Sequence, residues 1–352
     1  MTVQKRMLAT AVAATMFSAP VLAEVDVKFS GHINRAVMFF DDGEESQVRH
    51  VDNDASSTRF RINGSTTVDT TTVGVNIELQ AESQSTAVTN QDKSASDGFD
   101  VGERILEFTV ADSWGKLSVG QGSTATDGTS EKDLSGTALA GYASTVDIGG
   151  GLIFRAKGDT ATVPSSGITV GSALSDMDGN GRQDRLRYDS PSFSGLSIAA
   201  SHSDEGTGDI GLHYSAQYDG MKVAAGLGYV DFDGGNNDTQ TAGSVSVALD
   251  GGFNVTAAVG ERDVKVGKDS DFIYLKLGYR MGHNAYSVDY HVTDQLQAGH
   301  EGSSYGAQYV RTIPAFSTEA YVGVRNYELD DDSGATDYED VLVALVGARV
   351  KF

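Results

Sequence analysis

The chain has 352 residues but no cysteine, 4 prolines and a single tryptophan. Without cysteine there can be no disulfide framework. Scarce proline beside 42 glycines argues against a disordered or linker-rich protein. Basic residues are also short: 26 Lys and Arg stand against 49 Asp and Glu, a net charge of -23. An acidic surface repels a phosphate backbone, so nucleic acid is excluded as a partner. A long apolar run is missing too. The longest, "MLATAVAATMFSAPVLA", is polar-interrupted and falls short of the about 20 apolar residues that a spanning helix needs.

That run follows Lys5 and Arg6 and ends in Val21-Leu22-Ala23. A basic start, a short apolar stretch and small residues before the break predict a signal peptide over residues 1–23, cleaved after Ala23. Its removal takes two of the 26 basic residues and no acidic one, leaving 24 against 49, or -25. An exported chain with no spanning helix has two destinations. It is either a soluble secreted β protein or an outer-membrane barrel.

Period-two alternation runs from Val25 to Phe352. In "FIYLKLGYR", Ile273, Leu275, Leu277 and Tyr279 share one face, and Tyr274, Lys276, Gly278 and Arg280 the other. "VGVNIEL" sets Val73, Val75, Ile77 and Leu79 against Gly74, Asn76 and Glu78. Such strands bury one face only, on a core or in lipid. The connections choose between these. Short links at Asp69, Asp112, Pro191, Asp219, Asp250, Met281 and Ile313 alternate with longer acidic ones at 41–56, 83–100, 231–238, 293–302 and 330–337. A membrane meander sorts its loops in this way, and the count comes to about 16 strands, an even number. The fold expected is an all-β, antiparallel up-and-down transmembrane barrel over residues 24–352. One link, about 122–182 after the fifth strand, is long enough to be functional. Phe352 ends an alternating strand whose outward set is Leu342, Ala344, Val346, Ala348 and Val350. A free edge there would invite aggregation, whereas a barrel pairs it with "VDVKFSGHI".

Four stretches together resemble a known family: "VKFSGHINRAVMFF", "SSTRFRINGS", "RILEFTVADSWGKLSVGQG" and "RLRYDSPSFSGLSIAAS". In this order they are similar to successive strands of the Gram-negative general porins, the trimeric 16-stranded family. The acidic Pro-Glu-Phe motif of its enteric members is absent, and "EKDLSGTALAGYASTVDIGGGLIFRAKG" stands in its place. The resemblance implies a homotrimer in outer-membrane lipid and lipopolysaccharide, passing small hydrophilic solutes and ions without any required cofactor. It also implies that loop three, about 122–182, folds inward and narrows the lumen. Asp127, Glu131, Asp133 and Asp147 on that loop would then face a basic wall.

Alternation supplies candidates for that wall. Phe60 and Ile62 point to lipid, which turns Arg59 and Arg61 inward. Val27, Phe29 and Ile33 leave Lys28 and His32 inward, and Leu186 and Tyr188 leave Arg185 and Arg187 inward. Arg104 matches the family, although "RILEF" does not alternate cleanly. Arg35 has lipid-facing parity, for which the pattern gives no account. Mouth carboxylates at Asp41, Asp42, Glu44, Glu45 and Asp330–Asp332 would concentrate cations within roughly 8–10 Å, so mild cation preference is expected. A substrate-selective channel or a surface adhesin are the other readings. An enzyme lacks motif support despite lumen-facing His32, His213 and His291.

One motif stands apart. Asp176, Asp178, Asn180 and Asp184, with Gly181 between, carry calcium-loop spacing, but Arg187 replaces the closing glutamate. A full EF-hand is excluded. A helix-free calcium site and a plain turn both stay open.

Overall fold

The computed structural model describes residues 25–92, 98–204 and 206–352; the expected signal peptide lies outside them. Seventeen strand segments follow one another. They are β1 (Asp26–Asp41), β2 (Ser46–Asp52), β3 (Arg59–Val68), β4 (Thr71–Ser83), β5 (Phe99–Asp112), β6 (Gly115–Ser123), β7 (Arg182–Asp189), β8 (Leu196–Ser203) and β9 (Gly208–Tyr218). After these come β10 (Met221–Asp231), β11 (Asn237–Leu249), β12 (Phe253–Val264), β13 (Ser270–Met281), β14 (Asn284–Asp294), β15 (His300–Ile313), β16 (Thr318–Asp331) and β17 (Val341–Lys351).

β2 and β3 occupy one place in the wall. β2 pairs with the outer half of β1 and β3 with its inner half, so the segments form sixteen strands. The ladders between these strands are all antiparallel. The ring closes where β17 pairs with β1, with Ile33 opposite Val350 and Phe39 opposite Ala344. Phe352 completes the seam, its backbone exchanging hydrogen bonds with Gly31 at 3.0 and 3.1 Å. At this seam the edges of β1 and β17 are both paired.

This corrects one expectation. The link at 41–56 is not all loop, because residues 46–52 continue the second strand. Asp52 stops it by accepting from the Thr58 amide (3.0 Å) and hydroxyl (2.6 Å), which pulls the chain into a 3-10 turn at Asp54–Ser56. The interruption carries Asp54 toward the lumen.

Outward positions are apolar and exposed as alternation requires: Phe29, Phe60, Ile62, Leu275, Leu277, Val346 and Val350. Near the short turns, Phe253 with Tyr279, Tyr286 with Tyr309, and Trp114 with Tyr188 form ring contacts at 4.8, 5.0 and 6.4 Å. They make an aromatic girdle at one membrane boundary. Asp219-Gly220 links β9 to β10 in two residues, and Gly220 at φ +79° supplies the backbone that such a tight turn needs.

One sector breaks the pattern. Along β1 and β15–β17 the inward face is also apolar: Met38, Phe40, Val310, Tyr321, Tyr327, Leu329, Val341, Val343 and Leu345 are all buried. They have a partner inside the barrel. Leu139, Ile148, Leu152, Phe154, Val170 and Leu174 from the long link pack against them as a second core.

Candidate functional site

The link from β6 to β7 turns into the barrel and stays there. Its neck is tied by the Thr124 amide donating to the Gly181 carbonyl at 2.9 Å. From that neck it follows the inner wall, bonded to one inward side chain after another. The Thr126 amide donates to Asp209 (2.9 Å), Lys132 and Leu134 amides to Ser244 and Ser246 (both 2.9 Å), and Thr137 meets Ser287 at 2.7 Å. Farther on, Thr145 meets His291 at 2.8 Å, and Tyr327 donates to the Thr145 carbonyl at 2.7 Å. Small wall residues make room for this backbone. A Cβ on Gly211 would lie 2.1 Å from the Ala125 carbonyl oxygen, and one on Gly302 2.5 Å from that of Ala173.

Across the remaining lumen the link faces the second strand. A cavity of about 490 Å³ is lined by Arg59, Arg104 and Arg182 on one side. Asp127, Glu131, Asp133, Asp147, Asp176 and Asp178 line the other, and Asp54 projects from the strand interruption. Arg182 is 3.8 Å from Asp127.

The wall arginines are organised by Glu78 of β4. It lies 3.0 Å from Arg104 and 3.7 Å from Arg59, and pairs directly with Arg61. Arg104 is the residue skipped where Glu78 and Leu79 pair with Ile105 and Glu103. A β-bulge therefore turns its guanidinium inward, and also explains the imperfect alternation around it. His32 donates through Nε2 to the Ser57 carbonyl (2.7 Å) and lies beside Arg61 (3.4 Å), outside the cavity rather than in it.

Two expected wall residues are engaged elsewhere. Arg185 points inward but is buried, paired with Glu107 and donating to the Ser123 (2.9 Å) and Gly120 (2.7 Å) carbonyls. Arg187 grips Asp189 at 2.7 Å and donates to the Ser123 and Thr124 carbonyls at 3.2 and 2.5 Å. Both clamp the neck of the inward link and neither lines the cavity. Asp133 also has a private partner, the buried Lys276 at 2.7 Å. Asp42 is no mouth charge, being sealed against Arg155 at 2.9 Å. Arg35 does face outward, and it donates to the Ser83 carbonyl at 2.9 Å and lies 3.7 Å from Asp52.

The loop carboxylates crowd one another. Burial, with the charges of Asp178 and Asp176, raises Glu131 well above the usual carboxylate range. Burial beside Asp178 and Asp147 pushes Asp176 up to about 8. Asp147 and Asp178 are each raised to about 6, chiefly by burial. Asp147 accepts from Tyr142 and from Ser144 (3.1 Å).

The calcium-like residues do not converge. Asp178 accepts from the Gly128 amide (2.7 Å) and from the Ser130 amide (3.2 Å) and hydroxyl (2.9 Å). The Asn180 amide donates to Thr126 at 3.1 Å, and Asp184 lies in β7 on the exposed side shared by Leu186 and Tyr188. Among the described residues no group of three or more His, Asp or Glu is arranged to hold a metal.

Residues 9–332 match the family profile described as Gram-negative porin. The chain belongs to the Gram-negative porins. Its place is the outer membrane. No curated protein matches it. Among solved structures, the anion-selective porin from Comamonas acidovorans is similar over 94% of this porin and 100% of that chain, with TM-score 0.63 and 14% identity. OmpT of Vibrio cholerae in a loop-deletion form matches over 93% and 99%, with TM-score 0.59 and 16% identity. A variant of the Rhodopseudomonas blastica porin matches over 93% and 100%, with TM-score 0.57 and 16% identity. At such identities the likeness is one of fold.

Sequence reasoning missed Glu78 as the hub of the wall, Asp54, and Arg182. Glu78 carried a signal, its place on the polar face of "VGVNIEL". Asp54 carried none, since its position depends on the strand interruption.

Proposed function

We propose that this porin is a general diffusion channel with mild cation preference, in which the inward link sets the passage for small hydrophilic solutes and ions. The observation that carries the reading is the charge-opposed cavity, with Arg59, Arg104 and Arg182 across from the carboxylates of the link. Opposed charges across a narrow gap set up a transverse field. It orients water and polar solutes, and disfavours apolar ones that would dilute it. Carboxylates outnumber arginines around the cavity, so cations gain more than anions.

The polar lining supports a non-specific channel over a substrate-selective one, with Tyr142 the one aromatic ring in it. Catalysis has no support from the histidines, since His32, His213 and His291 each bond a carbonyl of the strand interruption or the link. Family membership supports a homotrimer in outer-membrane lipid and lipopolysaccharide, and a trimer form is described for the similar OmpT. The exported form begins after the leader at residues 1–23. Single-channel recording in planar bilayers under a KCl gradient tests the reading. Stepwise conductance with a cation-side reversal potential is expected; chloride preference would overturn the selectivity, and silence would overturn the channel.

A further inference from the structure

We infer that the channel carries a second site, specific for a small oxyanion of the phosphate class, at the seam where the barrel closes. The register brings inward cations together from three adjacent strands. His32 of β1 lies opposite both Arg59 of β3 and Lys351 of β17, Ser30 opposite Arg61, and Asn34 opposite Arg349. Like charges gathered in neighbouring rows of a sheet repel, and each such pair costs stability unless an anion lies between them.

The protein supplies too few anions of its own. Glu78 serves Arg59, Arg61 and Arg104, while Glu319 serves Arg349 at 2.6 Å and Lys351 at 2.9 Å. Setting aside Arg104, which lines the cavity under the link, four cations face two carboxylates, an excess of two positive charges. Among them opens a cavity of about 400 Å³, lined by His32, Arg59, Arg61, Arg349 and Lys351, which shares only Arg59 with the cavity under the link.

The donors are held in place. Arg349 donates to Ser56 at 2.6 Å and to Glu319, which fixes its plane. Arg59 donates through Nε to Ser57 at 3.2 Å, and among the described residues its two terminal nitrogens meet no protein acceptor. Preorganised guanidinium forks with free N–H groups match the oxygens of a tetrahedral oxyanion and bind it at little ordering cost. Chloride meets the fork with a single spherical acceptor, whereas an oxyanion offers two oxygens at the spacing of the two donors. The same excess charge attracts any anion, so the fork is what makes the site selective.

Calorimetric titration of the full-length, detergent-solubilised porin with inorganic phosphate at low ionic strength tests this. Saturable heat is expected, displaced by sulfate and not by chloride at equal ionic strength. Arg349→Gln with Lys351→Gln should weaken it by about tenfold or more, the loss of charge-assisted hydrogen bonds. Arg349→Lys, which keeps the charge but loses the fork, should fall between. KCl conductance of each variant establishes that its barrel is folded, and it keeps this test separate from the channel reading. Absent heat in the parent protein, equal heat in the double variant, or displacement by chloride as effective as by sulfate would each overturn the site.

Discussion

The Arg155 guanidinium and the Asp42 carboxylate meet at 2.9 Å with neither side chain exposed. Asp42 stands at the outer end of β1, and Arg155 follows the apolar stretch of the inward link. The pair therefore fastens that link to the rim. Asp42→Ala strands a buried guanidinium, which costs about 3–5 kcal/mol. A lower thermal midpoint and noisier open-channel current are expected. Replacing both partners, Asp42→Leu with Arg155→Met, should restore most of the midpoint, because the desolvation penalty goes with the charges. An unaltered midpoint in Asp42→Ala would mean that the pair does not secure the link.

Glu78 gives a second prediction, because one carboxylate balances three arginines. Glu78→Gln leaves those three charges unbalanced beside the cavity. One unit charge about 8 Å away in a wet lumen is worth about 0.5–1 kcal/mol, or roughly a two- to fivefold change in permeability ratio. Reversal potentials should move toward chloride in Glu78→Gln and toward potassium in Arg104→Gln. Shifts of the same sign in both variants would refute the opposed-charge arrangement.

What the sequence revealed and what it hid divide along physical lines. Strand faces, closure at Phe352 and the inward parity of Arg59 and Arg61 follow from period-two alternation, which is local. Depth and partnership are not local. Arg185 and Arg59 share inward parity, yet one clamps a neck and the other lines a cavity, because only the folded link decides which it meets. Arg104 was obscured by its own bulge. The second core is legible in retrospect: "VLVALVGARV" is apolar on both faces over its first half, and a strand with lipid outside and apolar residues inside must be covered from within.

Acid should weaken cation preference. Asp147 and Asp178 are raised to about 6 and Asp176 to about 8, by burial first and by neighbouring carboxylates second. As pH falls from about 8 to 5 these groups gain protons, and the link loses negative charge. Asp133 on the same link is held below the ordinary carboxylate range, its pairing with Lys276 outweighing its burial, and Arg59, Arg104 and Arg182 line the same cavity. The sign for stability agrees: raised carboxyls bind more protons in the folded state, so the cost of crowding them grows as pH rises between about 4 and 8. Reversal potentials measured at pH 8, 6.5 and 5 should decline stepwise toward zero selectivity. A flat or rising series would show that the crowded carboxylates do not set the preference.

Asp178 separates a turn from a calcium site. Its carboxylate accepts from two backbone amides and the Ser130 hydroxyl, closing the start of the inward link onto its end. Asp178→Ala removes an acceptor from these groups and should cost about 1–3 kcal/mol. Asp178→Asn keeps one acceptor oxygen and should lose less. If the spacing from Asp176 to Asp184 only shapes a turn, calcium added to the parent protein gives no saturable heat, and chelator leaves its thermal midpoint alone. Saturable calcium heat that disappears in both variants would reverse that conclusion. It would also require Asp184 to leave the exposed side of β7 that it shares with Leu186 and Tyr188.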